Sequence, residues 1–373
     1  HWAEKLKKVF PSLLVCTVGS IMSVRAAEEI IATGKADFVA MCRPLLADPE
    51  MPRKYALGHE DDHRPCLRCQ YCGARLIVPA VINCAVNPYL GEEVDFPLAK
   101  VPKADAKKRV AVIGGGAAGI QALLTLCDRG HDVTLYEMTS ELGGNVIPAA
   151  APSFKPDMKD YLSYLRRQAQ KAPARILLNT EATKELLDRE KYDALIIAVG
   201  ARPMIPRLPG IDKPRVHWAA DAGTGKVEAG KKVVIAGAGA LGVECAIQLG
   251  REGHSVEIVE MLPDMSGLMA SASGAMLELL DALKDLGIPV HLSTKLEEVT
   301  DHAVVCRNLK TGAKVEFTAD TVLLALGMTP KFDVADALRR SAPETEVFVV
   351  GDAIEAKTIA QAVKSGFNAA AYI

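Results

Sequence analysis

The sequence of 373 residues predicts an α/β protein with parallel sheets, and three observations support this fold class. Short, continuously apolar segments alternate with helical segments along most of the chain, as in strands that are buried on both faces of a parallel sheet. A glycine-rich strand–helix–strand segment occurs twice, and a compact group of four cysteines precedes both copies. At this length, two or three domains are expected.

Residues 1–60 contain two strand–helix steps. Residues 11–20 (PSLLVCTVGS) and 36–41 (ADFVAM) are predicted to be buried strands, and residues 24–33 a helix. Two such steps cannot complete a parallel sheet that is covered on both faces. Because the chain also starts at His1 rather than at Met, we expect this region to be the end of a larger parallel α/β unit.

Composition argues against several classes of function. The formal net charge of −2 gives no indication of a nucleic-acid or anionic-membrane partner, and apolar runs such as ALIIAVGA are far too short to span a bilayer. Nine cysteines, of which four are grouped, are typical of a reducing cytoplasm rather than of a disulfide framework. The scattered ones are expected to be buried small side chains: Cys16, Cys42, Cys127, Cys245 and Cys306.

The grouped cysteines form the most specific metal-binding pattern in the sequence. Cys66, Cys69 and Cys72 are spaced by two residues in RPCLRCQYCG, and Cys84 follows in INCAVNP. Three closely spaced thiolates from one loop and a fourth from the next segment suit a 4Fe–4S cluster. The alternative is a structural zinc site, although zinc more often binds two separated C-x2-C pairs. A cluster carries single electrons, so we expect electron donors and acceptors elsewhere in the protein.

Residues 109–137 and 232–260 resemble each other, and each contains G-x-G-x-x-G between an apolar strand and a helix that is predicted to be amphipathic. In a dinucleotide-binding fold the first glycine permits a tight turn, the second lets the backbone approach the pyrophosphate, and the third lets helix and strand pack closely. One copy would be a weak signal, but two copies with an acidic residue at the same distance are a strong one. The residues are Gly114, Gly116, Gly119 and Glu137 in the first copy, and Gly237, Gly239, Gly242 and Glu260 in the second.

The two glutamates predict which nucleotides bind. Glu137 and Glu260 end the second strand of each copy, where a carboxylate can accept hydrogen bonds from a ribose. A carboxylate at that point repels a 2′-phosphate, so the second site is expected to prefer NADH to NADPH. The alternative for either copy is a fingerprint that serves the structure without binding a ligand.

The C-terminal segment VFVVGDA, followed by a helix, resembles the second FAD motif of flavoproteins with two dinucleotide-binding domains. This resemblance assigns Gly351 and Asp352 to FAD, with simple helix capping as the alternative role of Asp352. It also places Gly200 beside FAD and Gly327 beside NADH, at the crossing points between the domains. The FAD-binding domain would then comprise 109–224 and 326–373, and the inserted NADH-binding domain 225–325.

Further motifs extend the resemblance to nearly the whole chain. CAVNP after the cysteine loop, the double fingerprint, ELGGNVIPAAAPSFK (141–155) and VGDA are similar to the NADH:flavin oxidoreductase group of 2,4-dienoyl-CoA reductase, 2-enoate reductase and trimethylamine dehydrogenase. The resemblance implies strands 7 and 8 of an FMN-binding TIM barrel at 1–60 and the iron–sulfur loop at 61–100. A linker at 101–108 and two Rossmann-like domains of the glutathione-reductase type would follow.

The same resemblance implies cofactor residues outside the fingerprints. Glu244 would hold the nicotinamide amide, unless it is only an exposed acid in the first turn of a helix. Arg43 would contact the FMN phosphate, unless it forms a surface ion pair. The remaining residues are Gly144 and Asn145 for FAD, and Gly19 and Cys42 for the FMN phosphate.

The implied function is that of an iron–sulfur flavoprotein oxidoreductase. Electrons would move from NADH through FAD and the 4Fe–4S cluster to FMN, for reduction of an activated C=C bond of the 2-enoate or 2,4-dienoyl-CoA type. The barrel strands that would carry the proton donor and the substrate site are not in the sequence, so no catalytic residue is assigned. The expected partners are a small-molecule substrate and the missing barrel segment or chain, and a homo-oligomer is compatible with the sequence.

Two alternatives stay open at the level of sequence. One is an enzyme similar to the amine dehydrogenases, with ADP in place of FAD. The other is a nucleotide-binding electron-transfer subunit that docks a separate barrel chain.

Overall fold

The computed structural model describes residues 2–77, 81–272 and 275–373. In the described residues the strands form five sheets, and two of these have five strands each. The bounds of the strands in chain order are β1 Cys16–Val18, β2 Phe38–Ala40, β3 Arg109–Ile113, β4 Asp132–Tyr136, β5 Arg175–Leu177, β6 Ala194–Ile197, β7 Ala201–Pro203, β8 Val216–Trp218, β9 Lys232–Ala236, β10 Ser255–Val259, β11 Val290–His291, β12 Thr294–Val299, β13 Ala303–Asn308, β14 Lys314–Thr318, β15 Thr321–Leu324, β16 Met328–Pro330 and β17 Glu346–Val349.

Helices cover these sheets and connect their strands. Their bounds are α1 Trp2–Val9, α2 Val24–Ala32, α3 Arg43–Ala47, α4 Met51–Ala56, α5 Tyr71–Ile77, α6 Ala117–Arg129, α7 Val146–Ala150, α8 Pro156–Lys171, α9 Lys184–Glu190, α10 Ala219–Gly223, α11 Ala240–Arg251, α12 Ser266–Ala272, α13 Met276–Asp285, α14 Phe332–Ser341 and α15 Ile359–Ala371. In the part of the chain that the structure describes, no helix is both long and apolar enough to cross a membrane.

The first large sheet is parallel and has the strand order β17-β6-β3-β4-β5. Its central strands are buried on both faces, since RVAVI of β3 and ALII of β6 are almost entirely apolar. The order reverses between β3 and β6, and ligands of such sheets bind where the strand order reverses, at the carboxyl ends of the strands. The first fingerprint follows β3 directly.

The second large sheet repeats this arrangement. Its order is β11-β10-β9-β15-β8, again parallel, and the second fingerprint follows β9. Strand β8 belongs to this sheet although it precedes residue 225, where the NADH-binding part is predicted to begin. The predicted α/β fold with two Rossmann-like units is therefore confirmed, while the domain boundaries stay a prediction.

Helix α6 is buried around most of its circumference rather than on one face. The parallel sheet lies on one side of it, and α15 packs so closely on another that a β-carbon at Gly366 would collide with the carbonyl oxygen of Ala118. The sequence predicts an amphipathic helix after the first fingerprint, and this prediction is wrong for α6. The reason is that a helix from the far end of the chain covers the side that would otherwise face water.

The strands near the N-terminus are more exposed than the sequence predicts. β1 and β2 pair in parallel, and within the described ranges they form a sheet of their own. Val18 is 73% exposed and Phe38 is 56% exposed, so the prediction of buried strands is wrong for the described chain. Cys16 and Cys42 are also exposed, whereas Cys245 and Cys306 are buried as predicted and Cys127 is partly buried.

Candidate functional site

The first and third glycines of both fingerprints are required by packing. A β-carbon at Gly114 would collide with the carbonyl oxygen of Ala198, and one at Gly119 with the carbonyl oxygen of Gly114. In the second copy, a β-carbon at Gly237 would collide with the carbonyl oxygen of Ala325, and one at Gly242 with the carbonyl oxygen of Gly237. The tight turn and the close helix–strand contact therefore exclude larger residues at these positions.

The second glycine of each fingerprint has open space beside it. A β-carbon at Gly116 would come no closer than 4.0 Å to another heavy atom, the Cα of Gly144, and one at Gly239 would have nothing within 4 Å. Gly116 and Gly239 are the N-terminal caps of α6 and α11. Open space in front of a helix N-terminus suits an anionic group such as a pyrophosphate.

Glu137 and Glu260 occupy equivalent positions and make equivalent hydrogen bonds. Each side chain is at most 9% exposed. Glu137 Oε2 accepts from the backbone N–H of Gly115 at 2.7 Å, and Glu260 Oε2 accepts from that of Ala238 at 2.7 Å. The other oxygen of each carboxylate accepts from a backbone N–H two residues further on, at 2.8 Å. The fingerprint loops thus fix both carboxylates for an additional bond to a ribose.

The other residues assigned to FAD lie beside the first fingerprint. Gly143 pairs with Gly116 in an isolated parallel bridge, which brings Gly144 and Asn145 to the same loop. Asn145 Nδ2 lies 3.5 Å from Asp352 Oδ2, although the two residues are 207 positions apart. Burial raises the pKa of Asp352, and hydrogen bonds from the Lys357 backbone and Asn145 oppose this shift.

Gly200 and Gly327 lie at the crossing between the two large sheets. Strands β7 and β16 pair antiparallel there, with Met328 opposite Pro203. Gly200 has φ +72° and Gly327 φ +95°, which is backbone geometry that favours glycine. The carbonyl oxygen of Gly200 accepts from the backbone N–H of Lys331, and that of Gly327 accepts from the backbone N–H of Met204. Backbone hydrogen bonds therefore hold the crossing at both glycines.

Glu244 lies on α11 with its carboxylate already paired. Lys155 Nζ is 2.8 Å from both Glu244 oxygens, and the two side chains are only 20% and 14% exposed. The neighbouring Ser153 donates through its backbone N–H and hydroxyl to Gln248 Oε1, one turn further along α11. The segment before α8 therefore docks on the fingerprint helix of the second sheet.

Lys155 is a site residue that sequence reasoning missed. It ends the ELGGNVIPAAAPSFK motif, but its partner Glu244 is 89 residues away. A pairing over that distance leaves no local pattern in the sequence, and only the fold brings the two charges together.

All four grouped cysteines line one small cavity. Cys66, Cys69, Cys72 and Cys84 surround it together with Arg43, Leu46, Leu67, Arg68, Gln70, Ala85 and Val86. Cys66 and Cys84 also pack against the hydrophobic core of the first large sheet. Among the described residues, no three His, Cys, Asp or Glu side chains are already arranged to hold a metal ion. Four thiols are a donor set that suits a metal–sulfur group, and the binding of such a group stays a prediction.

Three thiols of this cavity, those of Cys66, Cys69 and Cys84, have a raised pKa. Burial raises the pKa of Cys66 to about 11, and it also raises the pKa of Cys69 and of Cys84. Neighbouring cysteines contribute in the same direction, because thiolates placed together repel one another. A bound cation would reverse this effect, since metal-bound thiols lose their protons.

The residues assigned to the FMN phosphate lie close to this cavity. Gly19 has φ +126°, and the next residue, Ser20, has its hydroxyl 3.5 Å from Arg43 Nη2. Cys42 is the N-terminal cap of α3, which begins at Arg43. Because Arg43 also lines the cysteine cavity, one side chain lies between the two predicted cofactor sites.

Residues 108–366 match the pyridine nucleotide-disulphide oxidoreductase family. The chain belongs to this family. Membership makes it an oxidoreductase that uses flavin and NAD(P), and it agrees with the two fingerprints and their sheets.

Relatives of this family member support the resemblance drawn from its motifs. It is 35% identical to a NADH oxidase of Thermoanaerobacter brockii and 34% identical to a cinnamate reductase of Clostridium sporogenes, over 99% and 98% of the chain. It covers 57% and 54% of those two proteins. A solved 2-naphthoyl-CoA reductase complex superposes with a TM-score of 0.93 at 29% identity, over all of this chain and 56% of the other. The chain thus spans about half the length of these relatives.

Proposed function

We propose that this family member carries electrons from NADH through FAD and a 4Fe–4S cluster to FMN, for reduction of an activated C=C bond of the 2-enoate or 2,4-dienoyl-CoA type. The observation that supports it most is the convergence of four cysteines on one cavity that packs against the core of the FAD-side sheet. Two of the relatives are named as reductases of cinnamate and of 2-naphthoyl-CoA, which both contain conjugated C=C bonds.

The first fingerprint would bind FAD. Glu137 is positioned for a ribose, the N-terminus of α6 for the pyrophosphate, and Asp352 with Asn145 for the part of FAD nearer its ring. When bound, FAD would supply the chemistry that accepts the two electrons of a hydride and passes them on one at a time. The contribution of the protein is to orient this cofactor and to keep it next to the cysteine cavity.

The second fingerprint would bind NADH. Glu260 favours a free ribose diol over a 2′-phosphate, because its carboxylate is held in place by Ala238 and Leu262. Glu244 would face the nicotinamide, with Lys155 fixing the position of its carboxylate. These roles predict NADH rather than NADPH as the donor.

The exposed face of β1 and β2 would be covered by further parallel strands. Val18 and Phe38 are apolar side chains that a completed barrel would bury, and the relatives are nearly twice as long as this chain. We propose that these strands come from an additional segment or a separate chain, that they complete the FMN and substrate sites, and that the protein works in the cytoplasm. The terminal substrate would be chosen by that part.

Cofactor extraction tests this proposal. The anaerobically purified protein should release FAD, and it should contain iron together with acid-labile sulfide in equal amounts. Release of ADP instead of FAD would favour the alternative similar to the amine dehydrogenases. Zinc without iron would remove the electron-transfer function.

A further inference from the structure

Arg64 has its positive charge near the cysteine cavity, although it is not one of the residues that line it. It lies two residues before Cys66, and its side chain is partly buried between the cysteine loop and α8. The guanidinium donates to three acceptors: the Tyr164 hydroxyl at 3.2 Å, the Asn87 side-chain oxygen at 3.0 Å and the Ala47 carbonyl at 3.4 Å. All three acceptors are neutral.

The Arg64 guanidinium forms no ion pair within the described part of the chain, although the charges of Asp48 and Asp128 interact with it over a longer distance. Asp48 accepts the backbone N–H of Arg64 at 2.8 Å, but its carboxylate is paired with Lys54 Nζ at 2.6 Å. Two other arginines line the cavity directly: Arg68 is paired with Asp157 at 2.6 Å, and Arg43 is the one assigned to the FMN phosphate. A partly buried cation without a direct ion-pair partner is unfavourable unless a further negative group lies nearby.

The cysteine cavity is the place for that negative group. Asn87, which accepts from Arg64, lies three residues after Cys84 in the same segment. Arg64 itself lies two residues before Cys66, so short segments connect its guanidinium to two of the four grouped cysteines. Four cysteine thiolates would give any iron–sulfur cluster bound there a net negative charge.

We propose that Arg64 is a counter-charge of the cluster and that its positive charge raises the reduction potential of the cluster. This inference rests on the proposed 4Fe–4S group. Reduction adds one electron and no proton, so the reduced cluster is more negative than the oxidised one. A fixed cation therefore stabilises the reduced form more and makes the cluster a better electron acceptor.

The test is a redox titration of the anaerobic holoprotein with dithionite, followed by the electron paramagnetic resonance signal of the reduced cluster. Arg64→Gln removes the charge, Arg64→Lys keeps it, and Tyr164→Phe removes one hydrogen bond without changing charge. We expect Arg64→Gln to shift the equilibrium at least about tenfold toward the oxidised cluster, which is ~59 mV for one electron. Arg64→Lys and Tyr164→Phe should shift it by less than half as much. Arg307→Gln, in β13, removes an arginine that is paired with Glu297 and should leave the potential unchanged.

The potentials and iron contents of these variants decide whether the charge of Arg64 acts on the cluster. An unchanged potential in Arg64→Gln, or an equal fall in Arg64→Lys, overturns the role of the charge while the proposed function stands. If Arg64→Gln cannot retain iron, retention in Arg64→Lys supports the counter-charge, and equal loss from both overturns it. A wild-type protein without iron and sulfide defeats the proposed function itself, and this inference with it.

Discussion

Glu137 and Glu260 make the same hydrogen bonds in two fingerprints and are proposed to bind different nucleotides. Each carboxylate is buried and accepts two backbone N–H groups from its own loop. The identity of the residue alone therefore does not decide which cofactor binds. The surroundings do, since only Glu137 has Asn145 and Asp352 near its fingerprint.

Substitution of Glu260 should change the choice of nicotinamide cofactor. Glu260→Gln removes the charge that repels a 2′-phosphate and weakens the hydrogen bonds to the ribose. We expect NADH affinity to fall about tenfold, since a hydrogen bond to a charged group contributes ~1.5–3 kcal/mol, and the preference for NADH over NADPH to shrink. Binding constants from nucleotide titrations measure both effects.

The matched control is Glu137→Gln in the other fingerprint. It should reduce the FAD content and leave the ratio of NADH to NADPH affinity unchanged. If Glu260→Gln keeps the wild-type ratio, the second fingerprint does not select the cofactor in the proposed way.

The ion pair of Lys155 with Glu244 should be energetically coupled. Both side chains are mostly buried, so loss of one partner leaves the other charge uncompensated. A double-mutant cycle with Lys155→Met and Glu244→Gln should show a coupling of about 1 kcal/mol or more in the free energy of unfolding from urea denaturation. The exposed pair of Arg202 and Asp333 is the control and should show no measurable coupling. Additive effects at Lys155 and Glu244 would contradict the docking of this segment on α11.

Residues in local patterns were the ones that the sequence could predict. The glycines and glutamates of the fingerprints follow a fixed spacing, because one turn and one strand end determine them. Lys155 and Arg64 could not be found in this way, since their partners Glu244 and Tyr164 are 89 and 100 residues away. The sequence RPC shows that Arg64 lies two residues before Cys66, but it does not show which groups surround the guanidinium.

At the scale of elements, the fingerprint helices show why the second and third glycines of one fingerprint have different roles. Gly242 is in contact with the turn at Gly237, while Gly239 faces open space at the N-terminus of α11. The same difference separates Gly119 from Gly116 in α6. Packing requires glycine at the third position, whereas a bound ligand would require glycine at the second.

Alanine substitutions should separate these two roles. Gly242→Ala forces helix and turn apart and should lower the melting temperature by several degrees, because the obstacle is backbone that cannot move aside. Gly239→Ala should leave the melting temperature within about 1 °C and weaken NADH binding at least about tenfold, because the methyl group occupies the space of the pyrophosphate. Thermal unfolding and nucleotide titration of both variants measure this. Unchanged NADH affinity in Gly239→Ala would argue against a nucleotide at α11.

The types of the main elements were predictable and some of their environments were not. The apolar runs before the two fingerprints were correctly predicted to be strands, β3 and β9. The burial of α6 was missed because α15, which covers it, is the last helix of the chain. The exposure of β1 was missed because an apolar run predicts burial whether or not the covering layer is present in the same sequence.

At the scale of the whole molecule, two similar parallel sheets are joined through the β7–β16 crossing, and the cysteine loop packs on the first. The proposed NADH site belongs to the second sheet, the proposed FAD site to the first sheet, and the proposed cluster site to the cysteine loop that packs on the first sheet. The N-terminal part with β1 and β2 lies next to the cysteine cavity through Arg43 and Leu46. The arrangement suits transfer of electrons toward a further cofactor there.

The exposed apolar face of β1 and β2 should bind a hydrophobic dye. Val18→Thr with Phe38→Ser should lower the fluorescence of anilinonaphthalene sulfonate bound to the chain and leave the FAD content unchanged, because the substitutions remove apolar surface away from the fingerprints. Val94→Thr, at a side chain that is 95% exposed, is the control and should have little effect. Equal dye binding by both variants would show that this face is not a distinct apolar surface.

The proposed function requires this chain to accept electrons from NADH into a bound flavin. Anaerobic titration of the purified protein with NADH, followed by absorbance, tests it most directly. We expect stoichiometric NADH to bleach the flavin bands, with NADPH much less effective because of Glu260. A flavin spectrum that stays unchanged in excess NADH, with FAD shown to be bound, would contradict the claim.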